Sequence, residues 1–167
     1  MIKTLRIVAL LAFAISCGDG FDDNKNHGLR RVQNSQETDA YSVNIKYLEL
    51  VNEYRINKKL RPLDHHPIIE EISLSHSKSM GLHTRPFGHA GINLRCRRLK
   101  NRLGRLKNCT ELVAMGAKNF NSVFEFWVGL PKHSELLDQP NITHTGLGIY
   151  KDSGGVIYWT QMFIELK

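Results

Sequence analysis

An α+β domain is the fold class the sequence predicts, on three observations. Apolar residues recur at threes and fours in four segments between Ser42 and Trp127, the period of helices with one buried face. The C-terminal end changes period: Gly146 to Lys151 and Val156 to Phe163, joined at Ser153-Gly154-Gly155, read as a β-hairpin. The composition, 41% apolar and 23% charged, is that of a globular chain, and 167 residues suffice for one domain with appendages.

The first 16 residues read as a signal peptide. Lys3 and Arg6 form a basic start, and Ile7 to Ile15 is a run of nine apolar residues, too short to span a bilayer, which takes about 20. Ala14-Ile15-Ser16-Cys17 resembles a bacterial lipobox, in which the cysteine thiol is acylated and becomes the mature N-terminus; the alternative is an ordinary signal peptide with a chance cysteine. Two or more acyl chains would anchor the protein firmly. The chain has three cysteines. Lipidation of Cys17 leaves Cys96 and Cys109 as the pair that an exported compartment permits. Removing Lys3 and Arg6 takes two cations from the formal charge of +7. Residues 17–39 are polar and without sustained period, a lipidated flexible tether with an average reach of about 25 Å. The folded domain is expected over 40–167.

The elements follow in order. Val43, Tyr47, Leu50, Val51 and Tyr54 mark a first helix over Ser42 to Leu60, ended by Pro62. His65 and His66 read as loop residues. A second helix runs from Pro67 to His83, with proline in its first turn; His76 and His83 lie seven apart on one face, a spacing open to ligands, and read as surface or core-edge side chains. Phe87-Gly88-His89-Ala90-Gly91 is a tight, exposed turn. In residues 92–107, Ile92, Cys96, Leu99, Leu103 and Leu106 share one helical face, and Gly104 weakens or ends the helix. The other faces carry Arg95, Arg97, Arg98, Lys100, Arg102, Arg105 and Lys107 with no acid among them. Such a patch either holds phosphates, anionic lipid or sulfated polysaccharide, or balances acids elsewhere. Phe120, Val123, Phe124 and Trp127 line a fourth helix. Pro131 interrupts that pattern, His133 follows, and a short apolar run ends at Leu137. In the last strand Ile157, Trp159, Gln161 and Phe163 face one way, and Val156, Tyr158, Thr160 and Met162 the other.

Five ordered stretches carry a resemblance. They are Leu50-Val-Asn-Glu-Tyr-Arg55 leading to Leu60-Arg-Pro-Leu63; Phe87-x-His89; Glu111 followed by Leu112-Val-Ala114; Trp127-x-x-x-Pro131-x-His133-x-x-x-Leu137 with Thr143-x-x-Gly146-x-Gly148; and Tyr158-Trp-Thr-Gln-Met-Phe163. Together they resemble the CAP superfamily (cysteine-rich secretory proteins, antigen 5 and pathogenesis-related 1 proteins), its bacterial branch above all, over about residues 45 to 166. The resemblance implies a three-layer α-β-α sandwich with a small antiparallel sheet between helices. It also implies a shallow cavity in which His89, His133 and Glu111 meet, a first shell suited to zinc or another divalent metal. Leu112 stands where the family has asparagine, and Cys109-Thr110 where it has glycine. His144 takes the place of a family glutamate, and Leu130 that of another, so His144 is a fourth candidate ligand while a free general base is lost. The chain has no His-Glu-x-x-His, no Gly-x-Ser-x-Gly and no catalytic-type cysteine.

The functional expectation is a monomeric, lipid-anchored CAP domain on the outer cell envelope, acting as a binding or interaction module. Polysaccharide, lipid or sterol, and protein are the partners the resemblance implies; no specific nucleic acid is expected. Two alternatives stand beside it. One is a metal-dependent hydrolase using His89, Glu111 and His133. The other is an adhesin for sulfated glycans through residues 95–107.

Overall fold

The computed structural model describes residues 42–167; the signal segment, Cys17 and the tether lie outside the described residues. The elements are α1 (42–57), β1 (Asp64–His65), α2 (Pro67–Gly81), α3 (Ile92–Leu103), β2 (Leu106–Met115), α4 (Phe120–Val128), α5 (Pro131–Leu137), β3 (His144–Lys151) and β4 (Ile157–Leu166). Four strands form one sheet in the order β1-β3-β4-β2. The three long strands are antiparallel, as expected, and the two-residue β1 adds a parallel edge against β3.

Both faces of the sheet are covered, which makes the three layers. Tyr47 and Val51 of α1, Trp127 of α4 and Leu137 of α5 pack with Leu112, Trp159 and Phe163 on one face. Ile69 and Ile72 of α2 and Leu99 of α3 pack with Met162 and Ile164 on the other. The alternation read in β4 decides this partition, because successive side chains leave a strand on opposite sides. Gln161, fully buried, accepts from Tyr47 Oη at 2.6 Å and donates to Thr145 Oγ1 at 3.1 Å, so it enters the core with its amide satisfied.

The Gly146-x-Gly148 repeat is explained by the helix above it. A Cβ at Gly146 would sit 2.3 Å from Glu70 N, and one at Gly148 2.0 Å from Leu74 N. The α2 backbone lies directly on β3, and Ser73 and Ser77 donate to the carbonyls of Gly146 and Gly148 at 3.0 and 2.9 Å. On the opposite side Arg55 of α1, fully buried, donates to the carbonyls of Leu137 and Gln139 and holds the end of α5. Asn52 pairs with both backbone groups of Leu63, at 2.9 and 2.7 Å. The Asn and Arg of the first resembling stretch are thus structural clamps.

Several boundaries differ from the sequence reading. The first helix ends at 57 rather than Leu60, where Lys59 turns back at φ 61°. The second ends at Gly81, and His83 takes φ 54° as Thr84 and Arg85 fold back onto the Ser79 carbonyl. Leu106 does not continue a helical face: it opens β2 after Gly104 ends α3. Pro131 starts α5 as its first residue, and His66 caps α2 by accepting from Ile68 N. Cys96 and Cys109 form a disulfide tying α3 to β2, with Cα atoms 5.9 Å apart. Among the described residues no helix is long and apolar enough to cross a membrane.

Candidate functional site

Glu111 stands at the centre of the expected cavity. Its register partner on β4 is Met162, which belongs to the core under α2 and α3, so Glu111 faces those helices. Its side chain is 1% exposed, and a bare carboxylate at such a place is costly. Arg95 of α3 meets that need. Nε donates to Oε2 at 2.9 Å and Nη2 to Oε1 at 2.5 Å, a bidentate pair. The guanidinium is held in turn by the carbonyls of Ala90, at 2.9 Å, and His89, at 3.4 Å.

His89, on the loop between α2 and α3, reaches the same carboxylate. Its Nδ1 lies 3.0 Å from Oε1, and its side chain is 54% exposed, so the imidazole forms the outer rim. His76 of α2 approaches from beneath. Its Nε2 donates to the Gly88 carbonyl at 2.8 Å and stands 3.9 Å from Glu111 Oε1. That bond fixes the tautomer, leaving a buried Nδ1 with no partner among the described residues. Burial holds the His76 pKa below the ordinary histidine value, with Arg95 adding to the effect against the opposing pull of the Gly88 carbonyl and Glu111.

His133 sits in the first turn of α5, against the Phe126 ring at 5.7 Å. Burial lowers its pKa, and the charge of His89 lowers it further. His144 is not in this group. It pairs across β3 with Asp64 of β1, its ring lies 6.0 Å from that of His66, and its Nδ1 meets Thr143 Oγ1 at 2.8 Å. Its register on β3, two strands from β2, puts it at the other side of the sheet. The structure therefore brings His89 to Glu111, places His133 on α5 against Phe126, and leaves His144 elsewhere.

Whether these residues fit a divalent metal turns on Arg95. Both Glu111 oxygens already receive hydrogen bonds from a fixed cation, and a metal ion there would face that charge at close range. Among the described residues no group of three or more His, Cys, Asp or Glu is placed to hold an ion. As arranged, the set does not fit a zinc shell.

The basic segment is partly spent on internal pairs. Arg95 holds Glu111, Arg102 holds both oxygens of Glu71 at 2.7 Å, and Lys107 reaches Glu165 at 3.0 Å. Arg97, Arg98, Lys100 and Arg105 keep no ion pair among the described residues. The sequence reading left His76 at the surface or core edge and did not pair Arg95 with Glu111. Each carried a signal: His76 falls at helical spacing between Ile72 and Met80, both buried, and Arg95 lies four before buried Leu99.

A family model described as the cysteine-rich secretory protein family, CAP, matches residues 48–163. No curated protein sequence matches the chain. Among solved structures, it is similar to an outer surface protein from Borrelia burgdorferi, with TM-score 0.61 and 20% identity over 74% of this chain and 91% of that one. It is similar also to an extracellular SCP-domain protein from Bacillus anthracis, with TM-score 0.65, 21% identity and 75% of this chain covered. A cysteine-rich secretory protein from Staphylococcus aureus gives TM-score 0.61 and 18% identity, again over 75% of this chain. The chain spans 41% and 39% of the length of those last two proteins. At these identities the likeness is one of fold.

Proposed function

The chain belongs to the cysteine-rich secretory protein (CAP) family, and from that membership we propose that it is an exported, envelope-displayed binding module rather than an enzyme. The observation that carries this reading is the Arg95–Glu111 pair. A general base or metal ligand offers its negative charge to the proton or ion, and here a bidentate guanidinium already compensates that charge. His89 stands at the exposed rim of this pair, bonded to the same carboxylate. Export is supported by the signal-like start and by the surface or extracellular location named for the Borrelia and Bacillus proteins. Acylation of Cys17 would tether the domain to the envelope, where polysaccharide, lipid, sterol or protein ligands are within reach.

Turnover assays decide between module and enzyme. The full-length chain and a His89→Ala/His133→Ala variant are compared on ester and peptide substrates with zinc present. The two are expected to give the same background rate. Turnover by the wild type that the double variant loses would contradict the reading. Anchoring is tested separately, by incorporation of labelled palmitate during bacterial expression. Label on the wild type and none on Cys17→Ser is the expected result; equal labelling, or none on either, would refute the anchor.

A further inference from the structure

Beside the Arg95–Glu111 pair, α2, α3 and the loop between them border a pocket of about 200 Å³. Its walls include Ser75 and Ser79 of α2, Arg95 and Arg98 of α3, and Arg85 and Gly91 from the intervening loop. Among the described residues three guanidiniums line it and no carboxylate does. We propose that this pocket binds a phosphate or sulfate group, free or as a monoester.

The donors converge. A Cβ at Gly91 would stand 3.2 Å from Arg85 Nη1 and 3.5 Å from Arg95 Nη1, so both guanidiniums close on the same glycine. Gly91 has φ 83°, and its missing side chain leaves that space to the arginines. Four of the five Arg95 N–H groups are spent on Glu111, His89 and Ala90, which leaves one N–H on Nη1. The Arg85 and Arg98 side chains have no ion pair among the described residues, and the Ser75 hydroxyl has no hydrogen bond among them. The backbone N–H of Arg85 is fixed to the Ser79 carbonyl at 3.2 Å, which anchors the loop that carries it.

Donors outnumber acceptors: His76 also lines the pocket, with one Nδ1 lone pair unpartnered among the described residues, against three guanidiniums. Glu111 neutralises Arg95 alone, so two positive charges remain over one small pocket, and an anion entering between them relieves their repulsion. Donors arriving from α2, α3 and the loop suit an oxyanion with several acceptor oxygens better than a planar carboxylate. The volume is below the roughly 300–1,000 Å³ of drug-sized sites, which fits a single head group.

The proposal adds a ligand class to the binding-module reading and rests on it. Calorimetric titration of the full chain with inorganic phosphate, inorganic sulfate and short-chain phosphatidic acid tests it. Three proteins are compared: wild type, Arg85→Gln/Arg98→Gln, and Arg97→Gln/Lys100→Gln, which removes the same charge outside the pocket. All four substituted side chains are exposed, and circular dichroism verifies folding. Saturable one-to-one binding should weaken at least about tenfold in the first variant, as losing charge-assisted bonds implies, and by less than about twofold in the second, where only a screened field changes. Tighter binding of phosphatidic acid than of phosphate would identify a lipid headgroup as the source; equal binding would identify the free oxyanion. Equal weakening in both variants, or no saturable binding to any probe, would overturn the site. Turnover through His89 and His133 would sink the module reading while leaving these titrations unchanged, so the two failures are distinguishable.

Discussion

At the scale of single residues, Glu111 and Arg95 are each explicable only through the other. Removing one charge of a buried pair leaves the partner uncompensated, a loss of about 3–5 kcal/mol, whereas replacing both with apolar groups is far milder. Glu111→Gln should therefore lower the urea midpoint strongly, and Arg95→Met/Glu111→Leu should recover much of the loss. If Glu111→Gln left stability unchanged, the pair would not be holding the site together. His76 gives a pH dependence with a definite sign. Burial depresses its folded pKa below the 6.5 of an ordinary histidine, so the unfolded chain binds the proton more readily. Its contribution to stability is fully present above about pH 6.5 and is lost as pH falls through the lower folded value. Stability should decline below about pH 6.5, and His76→Gln should flatten that decline; an unchanged pH profile in the variant would count against a buried neutral imidazole. Glu111, His89 and His133 were legible through motif likeness. His76 and Arg95 were obscured, because a histidine on a helix and an arginine in a basic run usually belong to the surface.

At the scale of elements, helix faces and the terminal hairpin were readable because they keep a clean period. Strand β2 was not. Its first half, Leu106 to Thr110, carries mixed polar residues, while Glu111 to Ala114 is buried on both faces, so neither half alternates. Two-residue β1 is below the length any pattern can report. The helix α5 was hidden by Pro131, which reads as a break yet serves at the first helical position, where its missing N–H costs nothing. Two predictions belong here. Cys96→Ser/Cys109→Ser opens the link between α3 and β2 and should cost about 2–4 kcal/mol, measured by denaturation with and without reductant; no loss would mean that the core alone fixes α3. Gly148→Ala places a Cβ where Leu74 N stands 2.0 Å away, so destabilisation should reach or exceed the roughly 1–3 kcal/mol of ordinary overpacking. A neutral effect would show that α2 can lift from β3 freely.

At the scale of the whole molecule, a sheet covered on both faces carries Glu111 on its edge strand β2, where His89 and Arg95 meet it. The family could be recognised because its motifs mark how layers join: glycines under α2, an arginine holding α5, a β4 glutamine bonded to α1. What such motifs do not carry is the state of the cavity, which depends on a residue outside them, Arg95. The measurement that tests this most directly is a zinc titration by calorimetry on the full-length chain, beside His89→Ala/His133→Ala. With Glu111 held by Arg95, no stoichiometric binding that the double variant removes is expected. Tight one-to-one binding by the wild type, abolished in the variant, would show that zinc displaces the arginine and that the cavity is a metal site.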